Sequence, residues 1–192
     1  ALCPILADFA RSQGVFAVEM EREILKNAEN LKTLRDLNLE IARPIQPNFS
    51  TILLDISPEK SEDEILSAMP RKGAKYSINR AERDGVEIFR VETTVENCRI
   101  FYDLLSETAR DSDFNIRSFE YHAEFWQTFA EIGLGHLFFA KFEDEVVAAA
   151  YAFCFGEKST YKDGASVRQR KAYGASHLLQ WEVIRWAREK GA

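Results

Sequence analysis

The stretch HLFFAKFEDEVVAAAYAFCFGEKSTYKDG, residues 136–164, decides the fold. Three runs rich in aromatic and aliphatic residues, 136–142, 145–155 and 158–164, are parted by the two-residue turns Glu143-Asp144 and Gly156-Glu157. Turns this short force neighbouring strands to run antiparallel, so the stretch reads as a three-strand meander. Its middle run, 146–155, is the longest apolar stretch of the chain. A membrane-spanning helix takes about 20 apolar residues, so this run reads as a buried strand.

On the C-terminal side, a loop with Arg168, Arg170 and Lys171 leads into a helix over 175–190. Leu178, Leu179, Trp181, Val183, Ile184, Trp186 and Ala187 give that helix an unusually wide apolar surface, which predicts a sheet on one side and a neighbouring module on the other. On the N-terminal side, 118–131 and 94–110 repeat their apolar residues at helical spacing, and 86–91 alternates as a strand. Ser61 and Glu64 form a capping box that starts a further helix. This helix pauses at Pro70 and resumes to Gly85. Nearer the start, the pattern predicts a helix over 2–10, strands over 15–20 and 50–56, and a helix within 21–38. Pro44 and Pro47 break any regular element between them and the second strand.

The order from residue 86, β-α-α-β-β-β-loop-α, resembles the first part of an acetyltransferase-like (GNAT) module, which normally continues with another strand. The order up to residue 56 resembles the back half of such a module. The expected fold class is therefore α+β, with two GNAT-like modules, mixed sheets flanked by helices, and both modules incomplete. The expected division is 1–57, the rear of the first module, and 58–192, a linker helix and the front of the second.

Composition excludes several function classes. With 46% hydrophobic and 29% charged residues, the 192-residue chain is neither disordered nor fibrous. A net charge of −6 argues against a general nucleic-acid coat protein but leaves room for a local basic patch. Cys3, Cys98 and Cys154 are odd in number and far apart, and His122, His136 and His177 lie in no metal-ligand spacing. No disulfide framework or metal site is expected, and a reducing, cytoplasmic compartment fits best. Neither a signal peptide nor a transmembrane segment is read.

Four groups of residues carry candidate chemistry. In 71–83, Lys72, Lys75, Tyr76, Asn79, Arg80 and Arg83 fall at spacings of three and four on one helical stripe. The stripe reads either as a contact for phosphates of RNA or of a diphosphate substrate, or as a solvated face. Arg117 and Tyr121 are four apart where a loop enters a helix. They read either as a diphosphate or carboxylate site, or as a solvated arginine with a packed tyrosine. Tyr161 lies in the stretch 160–166 at the end of the third meander strand, presenting its hydroxyl or serving as a plain strand former. Arg168, Arg170 and Lys171 precede the last helix, as phosphate contacts or as a basic surface loop. Acetyl-CoA enzymes place a glycine-rich turn at this point, whose amides hold a pyrophosphate. Aligning Arg170 and Ala175 to that pattern puts Tyr173 where its first glycine belongs.

Across 53–191 the chain resembles the FemABX family of peptidyltransferases. The similarity rests on Leu53-Leu54-Asp55-Ile56, on Lys75-Tyr76-Ser77-Ile78-Asn79-Arg80-Ala81-Glu82-Arg83 with Gly85-Val86, and on Phe101-Tyr102-Asp103-Leu104-Leu105. Arg117-Ser118 with Tyr121, Tyr161-Lys162-Asp163-Gly164-Ala165-Ser166 and Leu178-Leu179-Gln180-Trp181-Glu182-Val183-Ile184 complete it. Ser77 and Asn79 depart from the family signature, which has Asn and Arg there. The resemblance implies transfer of an amino acid from aminoacyl-tRNA to the stem peptide of a UDP- or lipid-linked muramyl-peptide precursor, with no cofactor and no metal. It implies that Arg117, Tyr121 and Tyr161 bind the precursor, and that a lipid-linked acceptor draws the protein to the inner membrane surface. A substrate-binding lysine is expected before Ala1, and a closing strand with a transition-state lysine after Ala192. Residues 1–192 alone are therefore expected to be inactive. The alternative is a GNAT-type, acyl-CoA-dependent N-acyltransferase. A third reading is an acidic interaction module without chemistry.

Overall fold

In a computed structural model the meander forms as the turns dictate. The model describes residues 2–19, 27–42, 51–69, 73–167 and 172–192. Four strands, β1 (Glu87–Val91), β2 (Gly135–Phe142), β3 (Glu145–Phe155) and β4 (Lys158–Ser166), lie in the order β1-β2-β3-β4. All three pairings are antiparallel, and among the described residues none supplies the parallel neighbour of a mixed sheet. The β2–β3 turn is made by Glu143 and Asp144, both at positive φ (49° and 67°), the conformation a twisted two-residue hairpin requires.

The helices are α1 (Leu2–Ser12), α2 (Ala28–Asp36), α3 (Glu62–Ala68), α4 (Ala74–Arg83), α5 (Val95–Asp111), α6 (Phe119–Glu131) and α7 (Ala175–Glu189). The capping box at α3 is present in both directions: Ser61 Oγ accepts from Glu64 N at 3.2 Å, and Glu64 Oε2 accepts from Ser61 N at 2.7 Å. The chain divides into two compact units, 1–54 and 55–192. In the first, α1 ends at Gly14 (φ +70°), and Asn27 caps α2 by accepting from Asn30 N at 2.8 Å.

Two sequence expectations fail in this region. Residues 15–19 and 51–56 are irregular rather than strands. Both runs have strand-like composition. A strand, however, exists only where a neighbour takes up its backbone N–H and C=O groups, and no ladder among the described residues includes them. Met20, Pro44, Pro47, Ser50 and Pro70 lie outside the described residues.

The second unit has two cores, one on each face of the sheet. On one face, Phe138, Ala140, Ala148, Ala150 and Ala152 pack beneath α7 residues Leu178, Leu179, Trp181 and Trp186, with Ile78 and Ala81 of α4. On the other, Leu137, Phe139, Ala149 and Tyr151 pack beneath α5 and α6 through Phe101, Leu105 and Trp126. Alanines along β3 bring both helical layers close to the sheet. Within this unit the apolar surface of α7 meets α3 and α4 as well as the sheet. Glu182 of α7 is ion-paired with Arg90 of β1 at 2.7 Å, and Arg185 of α7 with Glu62 of α3 at 2.9 Å.

Candidate functional site

The loop after α5 turns into α6 at Ser118, whose Oγ accepts from Tyr121 N at 3.4 Å and so caps the helix. Arg117 precedes the cap. Its carbonyl accepts a hydrogen bond from Tyr102 Oη at 2.9 Å. Its guanidinium carbon lies 5.6 Å from the Tyr121 ring centroid, and Tyr121 is 55% exposed. Arg117 and Tyr121 are thus brought together at a helix N-terminus, as their spacing predicted. A second guanidinium stands nearby: Arg99 of α5 lies over the Phe119 ring, 3.3 Å from its centroid. Glu120 is the acid of this surface. Its own backbone amide, the Ser118 hydroxyl and the Arg99 charge hold its carboxyl below the usual value. Two guanidiniums and a phenol at the positive end of a helix make a surface suited to a phosphate or carboxylate.

The end of β4 is built differently from its sequence pattern. Asp163 pairs with Tyr151 and Tyr161 pairs with Ala152, so Lys162 is an extra residue, a β-bulge. Paired residues share a face. Asp163 therefore points to the α5–α6 side with Tyr151, and Tyr161 to the α7 side with Ala152. The Tyr161 phenol lies over Gly164, where an added Cβ would fall 1.6 Å from Oη, and Gln180 of α7 is a polar neighbour of that hydroxyl. No contact joins Tyr161 to Arg117 or Tyr121. Replacing Gly164 by alanine should drive the Tyr161 ring from its seat with little loss of stability, because the collision is with a movable side chain. A changed fluorescence environment for Tyr161 at a nearly unchanged melting temperature would report this. An unaltered tyrosine signal would show that the ring does not rest there.

Asp163 anchors α6 to the sheet. Its carboxylate accepts from Trp126 Nε1 at 2.9 Å and from Lys162 Nζ at 3.0 Å, with His122 Nδ1 at 3.9 Å. His122 is buried, its Nε2 has no hydrogen-bond partner among the described residues, and burial lowers its pKa against the opposing pull of Asp163. Sequence reasoning missed Tyr102, Asp163, His122 and Gly164 as parts of this region. The Asp163–Gly164 pair within the strand was the one local signal for a bulge or a close approach.

The basic stripe of α4 is exposed but internally paired. Lys75 Nζ lies 3.7 Å from Asp63, Arg80 Nε 3.2 Å from Asp84, and Arg83 Nε 3.8 Å from Asp84. Exposed pairs of this kind are weak and exchangeable, so the stripe keeps the capacity to meet a phosphate. Tyr76 is exposed. The stripe also touches the start of α7. The Arg80 guanidinium lies over the Tyr173 ring at 4.6 Å, and a Cβ on Gly174 would fall 2.2 Å from the Ser77 carbonyl oxygen. Arg71, Lys72, Arg168, Arg170 and Lys171 lie outside the described residues. Both described cysteines are buried and unreactive in character, with burial pushing the Cys98 thiol up to about 11. Among the described residues, no group of three or more His, Cys, Asp or Glu is placed to hold a metal ion, and no helix is long and apolar enough to cross a membrane.

A family model described as an acetyltransferase (GNAT) domain matches residues 70–192. A crystal structure of FemX is similar to the whole of this chain, with a TM-score of 0.79 at 17% identity. The chain spans 65% of the length of that protein. A crystal structure of an aminoglycoside acetyltransferase from an uncultured soil metagenomic sample, in complex with sisomicin, matches 57% of this chain and 74% of its own, with a TM-score of 0.42 at 19% identity. No curated protein matches the chain.

Proposed function

The chain belongs to the acetyltransferase (GNAT) domain family, and we propose that within it the protein is an aminoacyltransferase of the FemABX type. It moves an amino acid from aminoacyl-tRNA to the stem peptide of a UDP- or lipid-linked muramyl-peptide precursor. The observation that carries this reading is the start of α7. An acyl-CoA enzyme needs small residues and free backbone amides there to cradle a pyrophosphate. Here Tyr173 stands at the first glycine position with Arg80 on its face, and the Ser77 carbonyl abuts Gly174. An exposed cationic surface, in which Arg117 has no carboxylate partner among the described residues, lies instead at the start of α6, around Arg117, Tyr121 and Arg99.

In this reading Arg117 and Tyr121 hold the diphosphate or muramyl-peptide part of the acceptor, and Tyr161 contacts it from β4. Lys75, Tyr76, Arg80 and Arg83, with Arg168, Arg170 and Lys171, meet phosphates of the tRNA or precursor. The stem-peptide amine attacks the aminoacyl ester carbonyl. The new C–N bond forms as the bond to the tRNA ribose oxygen breaks, the amine gives up a proton, and the ribose oxygen gains one. The ester is already activated, so orientation of two large substrates and stabilisation of the oxyanion are the protein's main tasks. We place the reaction in the cytoplasm, at the inner membrane surface when the acceptor is lipid-linked, and divide the chain between two GNAT-like modules at 57/58.

The test is transfer of a labelled aminoacyl group from charged tRNA to a UDP-linked muramyl pentapeptide by the full-length protein. Labelled product is the expected result. Absence of transfer with every aminoacyl-tRNA tried, together with acetyl transfer from acetyl-CoA, would establish the acyl-CoA-dependent alternative favoured by the family match alone.

A further inference from the structure

We infer that Tyr102 is a positioning residue for the Arg117 surface, an inference that rests on the proposed function above. Tyr102 lies in the middle of α5, where a helix-packing residue needs no hydroxyl. Its Oη reaches across to the loop before α6 and donates to the Arg117 carbonyl at 2.9 Å. Its ring fits edge-on to Phe119, at 5.6 Å between centroids, and meets His122 at 5.8 Å. The residue therefore grips both sides of the α6 cap, the carbonyl before Ser118 and the first helical side chain after it.

Arg117 is fixed at two points as a result. Tyr102 holds its backbone, and the Tyr121 ring lies beneath its guanidinium. Tyr121 is placed in turn by the Ser118 cap on its amide. A long arginine on an exposed loop otherwise loses much of its side-chain freedom on engaging an anion, and a backbone set in advance reduces that loss. Arg99, stacked on Phe119 and 6.0 Å from the Tyr102 ring centroid, sits on the same support. Tyr102 meets no ligand itself. Its hydroxyl acts through Arg117.

The test titrates UDP-linked muramyl pentapeptide calorimetrically into the full-length wild type, Tyr102→Phe, Arg117→Ala and the double variant. Phenylalanine keeps the ring packing and loses one exposed hydrogen bond, so Tyr102→Phe should fold with a melting temperature only slightly lowered. Binding must then order the Arg117 backbone that the hydrogen bond otherwise holds ready, which predicts binding weaker by about fivefold. In the Arg117→Ala background the same change should have no further effect, which a general structural role would not produce. Unchanged affinity in Tyr102→Phe, or an equal loss in both backgrounds, overturns the inference while leaving the functional reading intact. Failure of the wild type to bind overturns that reading and the inference with it.

Discussion

Replacing Arg117 by alanine is expected to weaken binding of a UDP-linked muramyl peptide by about 10- to 100-fold, with thermal stability unchanged. Arg117 is exposed, and no carboxylate competes for its guanidinium among the described residues. Its only side-chain partner there is the Tyr121 ring at 5.6 Å. Removing the side chain leaves the carbonyl that Tyr102 uses, so the fold loses nothing it relies on. A guanidinium facing a phosphate makes charge-assisted hydrogen bonds worth about 1.5–3 kcal/mol, which is the stated fold-change. Lysine at the same place should recover only part of the loss, because it keeps the charge without the fork geometry. Calorimetric titration gives both numbers. Full affinity in Arg117→Ala would remove this surface from the acceptor site.

Replacing Gly174 by alanine is expected to destabilise the second unit by about 3 kcal/mol. Two separate penalties meet there. The residue takes φ +83°, where a Cβ costs roughly 1–2 kcal/mol. The Cβ would also lie 2.2 Å from the Ser77 carbonyl oxygen and 2.9 Å from the Ser77 carbonyl carbon. Both are backbone atoms in α4 and have no rotamer in which to retreat, so the overpacking adds roughly 1–3 kcal/mol. The consequence for function comes from the same contact. Pushing α4 away from α7 should shift the Arg80–Tyr173 stack and open the start of α7. Chemical unfolding measures the stability loss. A change below about 1 kcal/mol would mean that α4 does not rest on this turn, and the argument against an acyl-CoA cradle would lose its basis.

Most of the second unit was legible in the sequence because its elements are set by local chemistry. Two-residue turns, a capping box and helical apolar spacing placed β2, β3, β4, α3, α5, α6 and α7 within a residue or two of where they lie. Arg117 and Tyr121 do come together, but Arg117 lies in the loop before the cap, so the turn at Ser118 rather than a shared helical face makes the contact. What failed depends on partners distant in sequence. Runs 15–19 and 51–56 have strand composition but no ladder to join among the described residues. Tyr161 and Asp163, two apart, belong on one face of a regular strand. The extra residue Lys162 puts them on opposite faces, and alternation alone does not reveal a bulge. Nothing local marks the Tyr102 hydroxyl, because its partner is a carbonyl in the loop before α6. The wide apolar surface of α7 signalled the sheet and a partner beyond it. Nothing local indicated that α4 of the same unit is one of its partners.

The most direct measurement of the central claim is a pair of calorimetric titrations on the full-length protein, one with UDP-linked muramyl pentapeptide and one with acetyl-CoA. Saturable binding of the muramyl peptide that is lost in Arg117→Ala, with no heat from acetyl-CoA, is the predicted result. Saturable binding of acetyl-CoA with none of the muramyl peptide would contradict it.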